Sequence, residues 1–117
     1  MHNILLLSDN INLCFSFLNK LREYEPNIES RDIHKVFHSD DLLYFDIFIV
    51  YIHDCHLRFD HYIRVLHSHN MEARIIIISQ KSKESIVCAA FENGADDFIE
   101  PPVSHALLKL KIKSLFR

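Results

Sequence analysis

The heptapeptide DIFIVYI, residues 46–52, is the stretch that decides the fold. After Asp46 every residue is apolar or aromatic, and most are β-branched. A run this short and continuous reads as a strand buried on both faces of a sheet. Downstream, residues 53–58 read as a loop. Residues 59–69 then carry Phe59, Tyr62, Ile63 and Leu66 at helical spacing. RIIIIS, residues 74–79, repeats the buried-strand pattern. Residues 83–93 form a helix with Ser82 as its expected cap and Gly94 as its closing glycine. A brief strand at 97–99 is stopped by Pro101 and Pro102, and residues 104–117 make a last helix. Upstream, Ser39 and Asp40 are expected to cap a short helix through Tyr44, and residues 27–33 form a half-polar strand. Ile11, Cys14, Leu18 and Leu21 mark a helix over 11–24 with an Asn/Asp cap before it, ended by Pro26 and Asn27. Residues 3–7 are a further buried strand that stops at Ser8-Asp9-Asn10.

The expected order is thus strand then helix, five times over. Continuous apolar strands alternating with amphipathic helices imply an α/β fold: a doubly wound, five-stranded parallel sheet covered on both faces. In such sheets functional groups lie at the carboxyl ends of the strands. Here those ends are Ser8-Asp9, Tyr51 to Asp54, Ser79 and Glu100-Pro101. The length of 117 residues fits one domain, and 49% apolar residues suffice for a core. The net charge of -3 gives no basic footprint, so direct nucleic-acid contact is not expected. No apolar run is long enough to span a bilayer, and the first residues carry no signal-peptide pattern. Cys14, Cys55 and Cys88 are odd in number and widely spaced, which suits a reducing cytoplasm better than a disulfide framework.

FENGADDFIEPPV, residues 91–103, resembles the fifth-strand signature of response-regulator receiver domains: Glu, any residue, Gly-Ala-Asp-Asp, an aromatic, Ile or Leu, any residue, Lys-Pro-Phe. The spacing from Ser79 to Gly94 agrees with that family without a gap. So does the spacing from Asp46 to Tyr51. The last helix, closing on Lys111-Ile112-Lys113-Ser114-Leu115-Phe116-Arg117, is similar to the end of receivers attached to winged-helix DNA-binding domains (the OmpR/PhoB type). The resemblance covers the whole chain. It implies a flavodoxin- or CheY-like (βα)5 three-layer sandwich over residues 1–117, with a DNA-binding domain expected beyond Arg117.

It also implies a degenerate phosphorylation site. Receivers hold Mg²⁺ on an acidic pair after the first strand, and this chain has Ser8-Asp9. Tyr51 stands at the phosphoacceptor aspartate, and Pro101 at the conserved lysine. The fourth-strand hydroxyl is kept as Ser79 and the fifth-strand aromatic, the switch residue, as Phe98. Magnesium binds through several oxygen ligands, and phosphoryl transfer needs charge neutralisation. Losing an acid, the nucleophile and the cation together removes that chemistry, so no catalytic residue, no cofactor and at most weak Mg²⁺ binding are expected. An ordinary phenol titrates near pH 10 and is a poor nucleophile. Tyr51 is expected to fill the site, hydrogen-bond Asp9 or Ser79, set Phe98, and hold one conformation.

In winged-helix response regulators the helix before the GADD motif, the fifth strand and the last helix form a twofold dimer face. Asp96, Asp97 and Lys111 match its charged positions. The expected helix at 83–93 departs from the family there, offering Ile86, Val87, Cys88, Ala89 and Ala90 where basic residues are usual. Helical spacing buries Val87, Ala90 and Phe91, or a neighbouring set, and the remainder is an apolar strip. A phosphorylation-independent homodimer through Ile86, Ala89, Ala90, Asp96, Asp97 and Lys111 is the first expectation. Two alternatives stay open. One is a metal, redox or small-molecule sensor at the loop holding His53, Asp54, Cys55 and His56. The other is phosphorylation at a non-standard residue, Tyr51 or Asp54. Gly94 is the only glycine, so no phosphate-binding glycine loop exists.

Overall fold

The computed structural model describes residues 2–38, 40–54 and 56–116. Five strands, β1 (Ile4–Ser8), β2 (Ile28–Asp32), β3 (Ile47–Ile52), β4 (Arg74–Ser79) and β5 (Asp97–Ile99), form one parallel sheet in the order β2-β1-β3-β4-β5. The three central strands are the three most apolar segments of the chain. β2 and β5, at the edges, are half-exposed. Period-two alternation divides the core. Ile4, Leu6, Ile47, Ile49, Ile76 and Ile78 face one side, packed by α1 (Phe15–Arg22) and α4 (His105–Leu115). Leu5, Leu7, Phe48, Val50, Ile75 and Ile77 face the other, packed by α2 (Asp60–His69) and α3 (Glu84–Glu92). Each fully buried side chain of this size contributes about 1.5–3 kcal/mol. The fold is the expected doubly wound three-layer sandwich. Among the described residues no helix is long and apolar enough to cross a membrane.

Several local expectations are corrected. The first helix opens with a 3-10 turn, Ile11–Cys14, and Asn10 makes no side-chain cap bond. The Asp9 carboxylate is committed elsewhere, so it does not cap this helix either. Among the described residues no α-helix lies between β2 and β3. Two 3-10 segments, Ile33–His38 and Asp40–Tyr44, fill that connection, and the Arg31–Asp41 ion pair ties the second to the edge strand. Ser39, the expected cap there, lies outside the described residues. Ser82 does not cap α3: Lys83 occupies that place, without a side-chain bond. Gly94 does end α3, at φ +122°, and a Cβ on it would stand 2.9 Å from His67 Cγ. Ser104 Oγ caps α4 by accepting from Leu107 N at 3.2 Å. Asn70 is buried and bonded on every side. It donates to the Leu42 and Phe45 carbonyls and accepts from Ala73 N. At the amino ends of the strands, His2 and Phe116 stack with centroids 4.3 Å apart. Arg74 lies over the Phe116 ring and donates to the Leu115 carbonyl.

Candidate functional site

β1 and β3 are neighbours although β2 separates them in sequence. The sheet order therefore reverses between them, and a crevice opens outside their carboxyl ends. An open cleft of about 410 Å³ lies there, lined by Asp9, Asn10, His34, His53, Asp54 and Leu57 among others. The register sets Ser8 beside Tyr51, and Ile52 beside Ser79. Ser8, Asp9, Tyr51 and Ser79, four of the expected site residues, thus lie at the carboxyl ends of adjacent strands. Pro101, half-buried, follows β5 in a cis Pro101–Pro102 pair.

The Asp9 carboxylate spans the gap between β1 and the segment after β3. One oxygen accepts from His53 N at 2.9 Å, the other from Asp54 N at 2.7 Å. Ser8, fully buried, accepts from Asn10 N at 3.0 Å, and Ser79 Oγ accepts from Lys81 N at 3.1 Å. Asp54 turns back on its own loop, its Oδ1 accepting from His56 N at 2.8 Å. This donor set does not fit a magnesium ion. Its one well-placed carboxylate already serves two backbone amides, its neighbour is a buried hydroxyl, and Pro101 brings no cation. Among the described residues no three His, Cys, Asp or Glu side chains stand close enough to hold a metal. His53 and His56 do not converge with Asp54, and Cys55 lies outside the described residues.

Tyr51 does not make the expected hydrogen bond. Among the described residues its hydroxyl bonds neither Asp9 nor Ser79, whose oxygens are taken as above. Its ring instead stacks on His53 (centroids 4.5 Å, interplanar 13°) and meets the Phe17 ring edge-on at 5.2 Å. Phe17 in turn contacts His105. Burial pushes the Tyr51 phenol above its usual value near 10, with a smaller push from Cys14. Nor does Tyr51 set Phe98. Tyr51 lies in the core layer of α1 and α4, while Phe98 packs on Phe59 in the layer of α2 and α3.

One contact had no signal in the sequence. The Cys14 thiol, fully buried, lies 3.3 Å from His53 Nε2. Burial raises the thiol above its ordinary value. The Ser8 hydrogen bond opposes this and Asp9 adds to it. Burial likewise lowers His53, against the pull of Asp9. The pair is therefore a neutral thiol and a neutral imidazole near pH 7, a packing contact rather than an activated nucleophile.

The expected dimer face is also rearranged. Ala90 is fully buried and packs in the core, so it leaves the face, while Phe91, expected in the core, is 44% exposed. Ile86, half-buried, packs against the core, and Ala89 is half-buried. Asp96 uses its carboxylate to accept from Ile75 N at 2.8 Å, and Lys111 donates to Asp97 at 2.8 Å within the same chain. Exposed apolar groups here are Cys88 and Phe91, one turn apart on α3, and Leu107 and Leu110 on α4, beside the exposed Glu92 and Asp96. Leu107 sits one turn before Lys111, whose ammonium reaches β5, so Leu107 lies on the β5 side of its helix.

With this geometry the chain superposes on solved structures along its whole length. The DrrB receiver domain, in its beryllofluoride-activated form, matches with a TM-score of 0.81 at 19% identity, covering 100% of this chain and 99% of that one. The fold is that of a response-regulator receiver domain. An orphan response regulator of H. pylori shares the receiver fold at TM-score 0.79 and 20% identity, over 97% of this chain and 95% of its own. A structure described as a putative pilus assembly protein of Burkholderia thailandensis shares it at 0.79 and 18%, over 97% of both chains. No protein-family model and no curated protein matches the sequence.

Proposed function

We propose that this chain is a receiver-type regulatory domain that works without phosphoryl transfer and is not an enzyme. It associates as a homodimer through α3, β5 and α4, and controls an attached DNA-binding domain in the cytoplasm. The observation that carries the reading is the occupation of the receiver site. Tyr51 stands where an acceptor aspartate is expected, packed between His53 and Phe17, and the Asp9 carboxylate is spent on the amides of His53 and Asp54. With Asp97 and Lys111 paired internally, the dimer rests on the exposed side chains of Phe91, Leu107 and Leu110 rather than on charged pairs between subunits. The odd number and wide spacing of Cys14, Cys55 and Cys88 suit the cytoplasm.

Sedimentation over a concentration series, with and without Mg²⁺ and beryllofluoride, tests the reading. A dimer indifferent to both additives is expected. A monomer that dimerises only when they are present overturns it. A second reading concerns the output alone. Because the same fold occurs in a structure described as a pilus assembly protein, the attached partner would be an assembly component instead of a DNA-binding domain. An assay of the full-length gene product for DNA binding decides between them.

A further inference from the structure

A second cavity lies beside the candidate site, on the other side of Leu57, which lines both. It holds about 90 Å³ and opens between the segment after β3 and the first turns of α3. Its apolar walls are Leu57, Phe59, Ile86 and Ala89. Phe59 is buried and Ile86 packs on the core, so two of these walls are set by the fold itself. Arg58, Asp60 and Lys81 complete the lining. The Arg58 guanidinium meets Asp60 only at 3.8 Å and is 85% exposed. The Lys81 ammonium has no partner among the described residues. Two cations against one carboxylate leave a positive excess around an apolar hollow.

Size narrows the occupant. An apolar cavity of about 150 Å³ takes benzene, and a water's share of liquid volume is about 30 Å³. This cavity therefore matches an isopropyl or isobutyl group and is too small for an aromatic ring. Charge narrows it further, since an anionic head beside that group would find both cations. We propose that this cavity binds a small branched-chain aliphatic carboxylate, with the branched end against Leu57, Phe59 and Ile86 and the carboxylate between Arg58 and Lys81. The site is separate from the receiver chemistry and stands whether or not Tyr51 has replaced an acceptor. Bound ligand joins the segment after β3 to α3, and so links the candidate site to the helix that carries Phe91. With so few atoms and two solvated cations, the dissociation constant is on the order of a millimolar.

The test is an amide-resolved NMR titration of the whole chain with 3-methylbutanoate. Saturable shifts confined to residues 57–60, 81, 86 and 89 are expected, with acetate and 3-methylbutan-1-ol each about tenfold weaker. Ala89→Phe, which fills the hollow, is expected to abolish the shifts. Arg58→Ala and Lys81→Ala, at exposed or half-exposed positions that leave the core intact, are expected to weaken binding several-fold. Absence of saturation well above a millimolar overturns the proposal, as does equal binding of the uncharged alcohol or undiminished binding by the two alanine variants. Binding of acetyl-Glu-Leu-Glu-amide where 3-methylbutanoate fails assigns the cavity to a peptide and overturns it. So do the same shifts on raising protein concentration alone, which assign it to a second copy.

Discussion

Asp9 reads in the sequence as the surviving half of a metal-binding pair, and in the structure as a brace. Its two oxygens hold the amides of residues 44 and 45 positions away. Spacing along the chain carries no signal for such a contact, because the amides belong to every sequence alike. Asp9→Ala leaves both donors dependent on water, and an unfolding loss of about 1–3 kcal/mol is expected from urea denaturation. An unchanged urea midpoint would show that the brace is idle. The histidines supply a pH test. Burial lowers His53, opposed by Asp9, and lowers His105, helped by Lys20 and opposed by Glu23. The unfolded chain then binds more protons than the folded one below the ordinary histidine value near 6.5, so stability falls as pH drops through that value toward the lowered folded ones. Thermal melts between pH 7.5 and about 5.5 should show this loss, and His53→Gln should flatten part of it. The fate of Tyr51 and Phe98 was open to a closer reading of the sequence. Tyr51, Ile78 and Ile99 share one row of the sheet, and Phe98 is one residue out of that row, hence on the opposite face.

At the scale of elements, strands were legible and the connections less so. DIFIVYI and RIIIIS occupy the positions expected of them because burial on both faces demands continuous apolar residues, and their β-branched content separates them from the equally continuous IVCAAF run of α3. The 3-10 segments between β2 and β3 defeated the reading. Asp40 and Leu42 look like a helix start, but the connection divides into two short 3-10 segments, the second tied to β2 by the Arg31–Asp41 pair. Glycine at the end of α3 was legible, since among the described residues only Gly94 has a positive φ. Gly94→Ala forces a side chain into that backbone and into the His67 ring. A loss of roughly 1–3 kcal/mol, seen as a lower melting temperature, is expected.

For the molecule as a whole, the outer side of α3, β5 and α4 separates stability from association. Leu107 is 51% exposed and belongs to neither core cluster, so Leu107→Asp is expected to keep the fold within about 0.5 kcal/mol. The same variant is expected to be monomeric by sedimentation wherever the parent chain is dimeric. A dimer that survives it would move the interface to another surface. The sequence pointed to this face through Asp96, Asp97 and Lys111, but those charges are used inside the chain. Composition could not reveal that, because an ion pair within a subunit and one between subunits draw on the same residues.

The stacked rings of His2 and Phe116, clasped by Arg74, bring residues near both termini to one spot at the foot of the sheet. A chain closed in this way is topologically close to a ring. Joined there by a short linker and reopened at the exposed turn beside Met71, it should yield a circular permutant that refolds and melts close to the parent. By the same geometry, it should splice into a surface loop of a host protein as a cassette without prying that loop apart.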